Sequence, residues 1–201
     1  MPRLRLLVPL LLTLAGCAQV NEMTAFGTVR VNKSDSEGRH VLETAPRYLV
    51  GTDGRSATFG GNAIGGRWES TSPEVISVTL LYRSSRSGSK AKTRFDQVSV
   101  NLDGNVTDFA ITQPTVQRRG KFDYASWVYF TENRSSFQMP LSYLRQMLDA
   151  ESCIVSVATS TGIAEGDFTV ASSTGYPTAR ASLSKLYEQI PTTQKAEKVE
   201  K

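Results

Sequence analysis

The sequence is poor in the residues that carry most metal and redox chemistry. It contains two cysteines, Cys17 and Cys153, and a single histidine, His40. Structural zinc sites of the His/Cys type need four such ligands, and the chain has only three of these residues. We therefore predict no metal site and no cofactor. His40 lies in a polar run and is predicted to be an ordinary surface residue.

Motifs of the common enzyme classes are also missing. No G-x-S-x-G elbow of a hydrolase occurs, and the glycine cluster 60–66 is followed by Arg67 and Trp68 instead of the Lys-Ser/Thr of a phosphate loop. We interpret these glycines as turn or loop residues. Glu165 and Asp167 share one face of a predicted strand, where charged side chains usually point to solvent. The sequence thus predicts a protein that is not an enzyme.

Long apolar runs are absent as well, and the one near the N-terminus, 6–14, is shorter than the ~20 residues of a membrane-spanning helix. Arg3 and Arg5 precede this run, and such a positive segment followed by a short apolar one is typical of a secretory signal. The run ends in the residues Leu14-Ala15-Gly16-Cys17.

This four-residue ending resembles the lipobox of bacterial lipoproteins. The resemblance implies that Cys17 is acylated, that residues 1–16 are removed, and that the lipid anchors the chain in a membrane of a Gram-negative bacterium. Two or three acyl chains hold a protein stably, whereas one does so only marginally. Inner-membrane lipoproteins typically carry Asp after the cysteine, and this chain has Ala18. The expected location is therefore the periplasmic side of the outer membrane.

Removal of the signal leaves a nearly neutral chain, because Arg3 and Arg5 contribute two charges to a formal net charge of +4. This balance, together with export, argues against a nucleic-acid partner. Lipidation of Cys17 leaves Cys153 without a partner for an intrachain disulfide. We predict that Cys153 is a core residue.

Hydrophobic periodicity predicts a mainly β domain. Alternation of period 2 or continuous apolar runs indicate strands at 74–83, 95–102, 106–112, 122–131, 137–139, 153–159 and 163–170. Turns are predicted at Asp103-Gly104 and at Asn133. Periodicity of 3.6 indicates two helices, one after Pro140 and one after Pro177. We predict an antiparallel meander or β-sandwich-like domain with two covering helices, a two-layer α+β arrangement being the alternative.

The domain boundaries follow from the same patterns. Residues 1–16 form the lipoprotein signal, 17–25 a lipidated tether, 26–191 a single β-rich periplasmic domain and 192–201 a disordered tail. The sequence of the Gly- and Ser-rich stretch 33–72 does not determine whether this stretch is ordered or disordered. It permits a hairpin between 47–50 and 55–59, since the intervening Asp-Gly suits a type I′ turn.

Basic residues bracket two predicted loops. If four consecutive strands run up, down, up and down, both loops lie at one end of the sheet and form a candidate binding rim. The rim would consist of Arg83, Arg86, Lys90, Lys92, Arg94, Arg118, Arg119 and Lys121. Such a rim suits an anionic envelope component or an acidic protein surface, although loops of this kind are often only solvated.

These features together predict a lipid-anchored, non-catalytic binding or accessory subunit of an envelope assembly, with another envelope protein as its partner. Two alternatives stay open. One is a direct binder of lipopolysaccharide, phospholipid or peptidoglycan, and the other is an unrecognised envelope enzyme.

Overall fold

The computed structural model describes residues 29–33, 39–51, 62–84, 93–123, 128–160, 162–171 and 178–191. The predicted signal, the lipidation site Cys17, the tether up to residue 25 and the tail 192–201 lie outside these residues. The strands are β1 (Val29–Lys33), β2 (His40–Thr44), β3 (Arg47–Tyr48), β4 (Asn62–Glu69), β5 (Val75–Ser84), β6 (Phe95–Leu102), β7 (Asn105–Asp123), β8 (Val128–Pro140), β9 (Cys153–Thr159) and β10 (Gly162–Asp167). The helices are α1 (Leu141–Asp149) and α2 (Ala179–Gln189).

The ten strands described belong to one antiparallel sheet with the order β1-β2-β4-β5-β8-β7-β6-β9-β10, and β3 pairs with β4 beside this path. The prediction of a mainly β, antiparallel domain with two covering helices is confirmed. Within it, β5 pairs with β8 and not with its sequence neighbour β6. The order β5-β8-β7-β6 is that of a Greek key. Strands β6, β7 and β8 follow one another as neighbours in the sheet, and β5, which precedes them in the chain, pairs with the last of the three.

The core lies between the inner face of the sheet and the two helices. On β5, Ile76, Val78 and Leu80 are buried in this core, whereas Ser77 and Thr79 point to the opposite, outer face. This alternation follows from the period of two of a β-strand. Each fully buried aliphatic side chain contributes roughly 1.5–3 kcal/mol of transfer free energy. The alternating pattern therefore determines both the core and the polar face opposite to it.

Each helix begins where the sequence indicates. Helix α1 follows Pro140 directly and buries Leu141, Leu144 and Met147. Helix α2 follows Thr178, whose side chain accepts a hydrogen bond from the backbone N–H of Ala181, as N-cap residues do. Both helices were predicted from their apolar stripes, and both are confirmed.

Glycines of β4 allow close packing, which differs from the turn or loop role predicted for them. A Cβ atom on Gly65 would lie 2.7 Å from the carbonyl oxygen of Thr44. One on Gly66 would lie 2.6 Å from Leu183 Cδ2 in helix α2. Both glycines lie inside strand β4, and they are needed there because a side chain would overlap these neighbouring atoms. Sequence alone did not reveal this, because the packing partner is 117 residues away for Gly66.

The two ends of the curved sheet approach each other. Val50 and Asp167 form an isolated antiparallel bridge, with both backbone N–H groups donating to the opposite carbonyl, at 3.1 and 2.6 Å. Gly166 packs against the Leu49 side chain so closely that a Cβ atom there would overlap it. The predicted hairpin partner of 47–50 was 55–59, which lies outside the described residues. In the structure Arg47–Tyr48 pairs with β4 instead.

The centre of the chain departs from the prediction. Residues 113–121 were predicted as a loop and 122–131 as one strand. The structure shows instead that β7 continues to Asp123 and that β8 begins at Val128. Asn133, predicted to form a turn, is buried inside β8. Segment 124–127 contains no Gly or Pro, the residues that usually mark a hairpin. The sequence pattern therefore did not indicate that one strand ends and the next begins there.

Candidate functional site

A polar groove of about 500 Å³ lies on the outer face of the sheet. It spans strands β2, β4, β5, β8 and β7 and lies opposite the face that the helices cover. The residues that line it are Glu43, Arg67, Glu69, Ser72, Val75, Ser77, Thr79, Gln113, Ser136 and Gln138. Its volume falls in the range of about 300–1,000 Å³ that is typical of ligand sites, but its lining is far more polar than usual.

Strand register arranges these side chains in rows. One row crosses four strands through the pairs Glu43–Arg67, Arg67–Ser77 and Ser77–Gln138. A parallel row contains the pairs Thr79–Ser136 and Ser136–Gln113. Directly paired residues of antiparallel strands share one face, so each row presents its polar groups side by side.

A local irregularity places Gln113 in this groove. The register between β7 and β8 shifts on both sides of Gln113, and Pro114 follows it. Proline cannot donate to the ladder, and bulges of this kind redirect side chains. Strand β7 pairs with β6 up to Ala110 and beyond the bulge continues with β8 alone. The groove therefore lies at the point where β7 passes from one half of the sheet to the other.

The charges in the groove are compensated among themselves. The guanidinium of Arg67 donates through Nε to Glu69 Oε1 at 2.8 Å, and its Nη1 lies 4.0 Å from Glu43 Oε2. With two carboxylates around one guanidinium, the lining has a slight negative excess. It offers no uncompensated cation to a phosphate or other strong anion.

Several neutral groups in the groove are available for hydrogen bonding. Gln113 and Gln138 are exposed, and the described part of the chain provides no hydrogen-bond partner for either side-chain amide. Ser136 is only 5% exposed, and its Oγ likewise lacks a partner among the described residues. Native structures rarely leave a buried hydroxyl in this state. The groove thus combines satisfied charges with unsatisfied neutral groups.

The predicted basic rim is only partly within the described residues. Arg86, Lys90 and Lys92 lie outside them. Arg118, Arg119 and Lys121 are in strand β7 and not in a loop, which corrects their predicted setting. The reason is that the strand was predicted to stop at residue 112, whereas β7 continues to Asp123.

Backbone register places three of the rim residues at one end of the sheet. Arg83 and Arg118 both pair with Glu132 of β8, from opposite sides, and Arg119 pairs with Thr131. An acidic residue thus stands between two of the basic positions, which the sequence did not indicate.

Arg94, which directly precedes β6, forms an exposed ion pair with Asp96 at 2.7 Å. Exposed pairs of this kind contribute about 0–1 kcal/mol to stability. Asp96 therefore offsets the charge of Arg94 locally, and the rim is less basic than its sequence composition predicts.

The remaining chemical candidates are a buried thiol, two carboxylates in local hydrogen bonds and an exposed histidine. Cys153 is fully buried, as predicted, and burial, followed by the carboxylate of Asp167, raises the pKa of its thiol to about 12. Asp167 Oδ1 accepts hydrogen bonds from the N–H and hydroxyl of Thr169, and Glu165 accepts one from Ser156. His40 is exposed.

Within the described ranges, no group of three or more His, Cys, Asp or Glu residues is placed to hold a metal ion. None of the helices described is long and apolar enough to cross a membrane. Comparison of the chain with protein-family models, curated proteins and solved structures returned no match.

The groove residues were not predicted as a site. The relevant signal was the alternation at the end of β8, where the polar Ser136 and Gln138 alternate with Phe137 and Met139. Phe137 and Met139 are buried in the core, whereas residues 131–136 are all polar and show no alternation. The alternation at the end of β8 indicates a polar outer face, but only the strand order shows which polar residues of β4, β5 and β7 lie beside it.

Proposed function

We propose that the protein is an outer-membrane-anchored lipoprotein that faces the periplasm and acts as a non-catalytic binding or accessory subunit of an envelope assembly. The observation that carries this proposal is the N-terminal sequence. Arg3 and Arg5, the apolar run 6–14 and the ending Leu14-Ala15-Gly16-Cys17 occur in the order of a lipoprotein signal. Ala18 in place of Asp favours the outer membrane.

The groove supports a binding role for the anchored domain. A lipid anchor restricts the domain to the membrane surface, and a single face of the sheet offers unpartnered neutral groups next to compensated charges. A contact surface of this kind binds by hydrogen bonding. The buried thiol of Cys153 supports the same view, since a thiol with a pKa of about 12 stays protonated near neutral pH and is a poor nucleophile.

Mass spectrometry of the mature N-terminus tests the anchor. We expect a first residue Cys17 that carries acyl chains, and we expect Cys17→Ser to lose membrane association. A mature peptide that retains Leu14, or one that begins at Cys17 without acyl mass, would contradict the proposal.

Crosslinking in intact cells followed by mass spectrometry tests the accessory role. We expect the anchored chain to form reproducible crosslinks to one or a few envelope components. A Cys17→Ser chain secreted into the periplasm is the matched control, because it keeps the domain and loses the membrane position. Identical crosslinks from both chains would show that the anchor does not determine the partner.

A further inference from the structure

We propose that the outer-face groove binds a linear glycan of N-acetylated amino sugars, the chemistry of cell-wall glycan strands. This inference rests on the proposed function, because a domain that faces the periplasm also faces the cell wall. It goes beyond that function by naming the ligand class and the residues that contact it.

The composition of the groove disfavours two other ligand classes. Nine of its ten lining residues are polar, so an acyl chain would gain little apolar contact there. Strongly anionic ligands such as phosphates require a free cation, whereas Arg67 is already held between Glu43 and Glu69. A neutral ligand rich in hydrogen-bonding groups remains.

The position of the groove favours a glycan over an extended peptide. Peptides that bind to sheets usually add a strand at an open edge, where main-chain groups are available. The groove instead lies on the face of five strands from β2 to β7, inside the terminal strands β1 and β10. Only side chains are presented there. Oligosaccharides are bound on strand faces in other small β-domains.

The hydrogen-bonding groups match those of such a sugar. The side-chain amides of Gln113 and Gln138 each supply an acceptor oxygen and two donor hydrogens, which complement the N–H and C=O of an N-acetyl group. Carboxylates accept hydrogen bonds from sugar hydroxyls, and Glu43 and Glu69 have acceptor capacity beyond Arg67. The hydroxyls of Ser77 and Thr79 lie between these groups and can donate or accept.

Ser136 provides an independent indication of a ligand. It is 95% buried, it lines the groove, and its Oγ has no hydrogen-bond partner among the described residues. A buried hydroxyl without a partner is unfavourable. Ser182 in the core is in the same state, so it is the position of Ser136 in the lining of the groove that connects its hydroxyl with a ligand. Ser136 pairs with both Thr79 and Gln113, which places this hydroxyl at the centre of the second row.

Titration of the full mature chain with chitotetraose, a neutral tetramer of N-acetylglucosamine, tests the proposal by calorimetry. We expect saturable binding that is nearly the same at low and high salt, because no ion pair forms with a neutral ligand. Cosedimentation with purified cell-wall sacculi, measured in parallel, should be reduced by excess chitotetraose.

Variants of the groove locate the binding. Gln113→Ala and Gln138→Ala should each weaken the affinity roughly two- to tenfold, the effect of one lost hydrogen bond. Ser136→Ala should weaken binding without lowering the urea midpoint, since the hydroxyl makes no bond in the free chain. Gln97→Ala is the matched control, because Gln97 is an exposed glutamine on the same face of β6, outside the groove. It should bind like the unchanged protein.

Three results would overturn the glycan assignment: no saturation at millimolar chitotetraose, an equal loss of affinity in Gln97→Ala, or crosslinks that place a protein segment on Gln113 and Gln138. These results are distinct from failure of the proposed function. A chain that is lipidated on Cys17 and crosslinks to envelope proteins but binds no glycan refutes only the ligand assignment. A chain that binds glycan without lipid refutes only the anchor.

Discussion

Replacement of Gly66 by alanine tests how closely helix α2 packs on the sheet. The new Cβ atom would lie 2.6 Å from Leu183 Cδ2 and 3.0 Å from Ile76 Cδ1. Overpacking of a core costs about 1–3 kcal/mol, and loss of glycine's freedom in the unfolded chain offsets about 0.4–1 kcal/mol of this. Because both contacts involve the ends of side chains that can shift, we expect a net loss of about 1–2 kcal/mol in the free energy of unfolding.

A double-mutant cycle in urea identifies the origin of this loss. Leu183→Ala removes the Cδ2 atom, so Gly66→Ala should cost close to nothing in that background, and the two changes should be coupled by about 1 kcal/mol or more. Gly65→Ala is the matched control, because its Cβ would lie 2.7 Å from the backbone oxygen of Thr44 and not near Leu183. Gly65→Ala should lower the free energy of unfolding by more than Gly66→Ala does, and this loss should persist in the Leu183→Ala background. Equal costs of Gly66→Ala in both backgrounds would refute the packing argument.

Three further predictions concern one side chain of strand β9 and two of helix α2. Cys153→Ala should lower stability by about 1–2 kcal/mol near neutral pH. It should also remove part of the fall in stability from pH 9 to about 12, because the folded state holds the thiol proton above its ordinary pKa; equal pH profiles of both proteins would contradict this. Arg180 donates to the carbonyl oxygens of Leu148 at 2.7 Å and Thr169 at 3.3 Å, so Arg180→Ala should cost about 2 kcal/mol in thermal or urea unfolding, with Arg180→Lys as the charge-preserving control. Ser182 is fully buried and its Oγ has no partner among the described residues, so Ser182→Ala should unfold at the same or a higher urea concentration, and a clear loss would contradict that assignment.

Hydrophobic periodicity was sufficient to predict the strands whose alternation of polar and apolar residues ends at clear turn residues. Strands β6 and β9 have the predicted bounds, and β5 differs by one residue at each end. Asp103 and Gly104 form the predicted turn, both with positive φ, as a type I′ turn requires. In each case the alternation ends at residues that favour a turn.

The hairpin between β7 and β8 could not be predicted in this way. Its apolar segment resembles a continuous strand, and Pro114, which normally ends a strand, occupies a bulge within β7. Sheet order was equally inaccessible, because the placement of β8 beside β5 depends on contacts between distant residues. The groove depends on that order. Ser77 and Gln138 are 61 residues apart and ordinary in type, and only their pairing makes them neighbours.

The position of β8 between β5 and β7 also affects how the chain folds. Strand β5 cannot complete its pairing when β6 and β7 form, because its partner is the last strand of the Greek key. The bridge between Val50 and Asp167 joins segments that are even further apart in the chain. Many of the stabilising contacts are therefore non-local, and chains of this topology fold in milliseconds to seconds, far more slowly than helical bundles. If the chain is exported as proposed, it is exposed to periplasmic proteases and chaperones until β8 is in place.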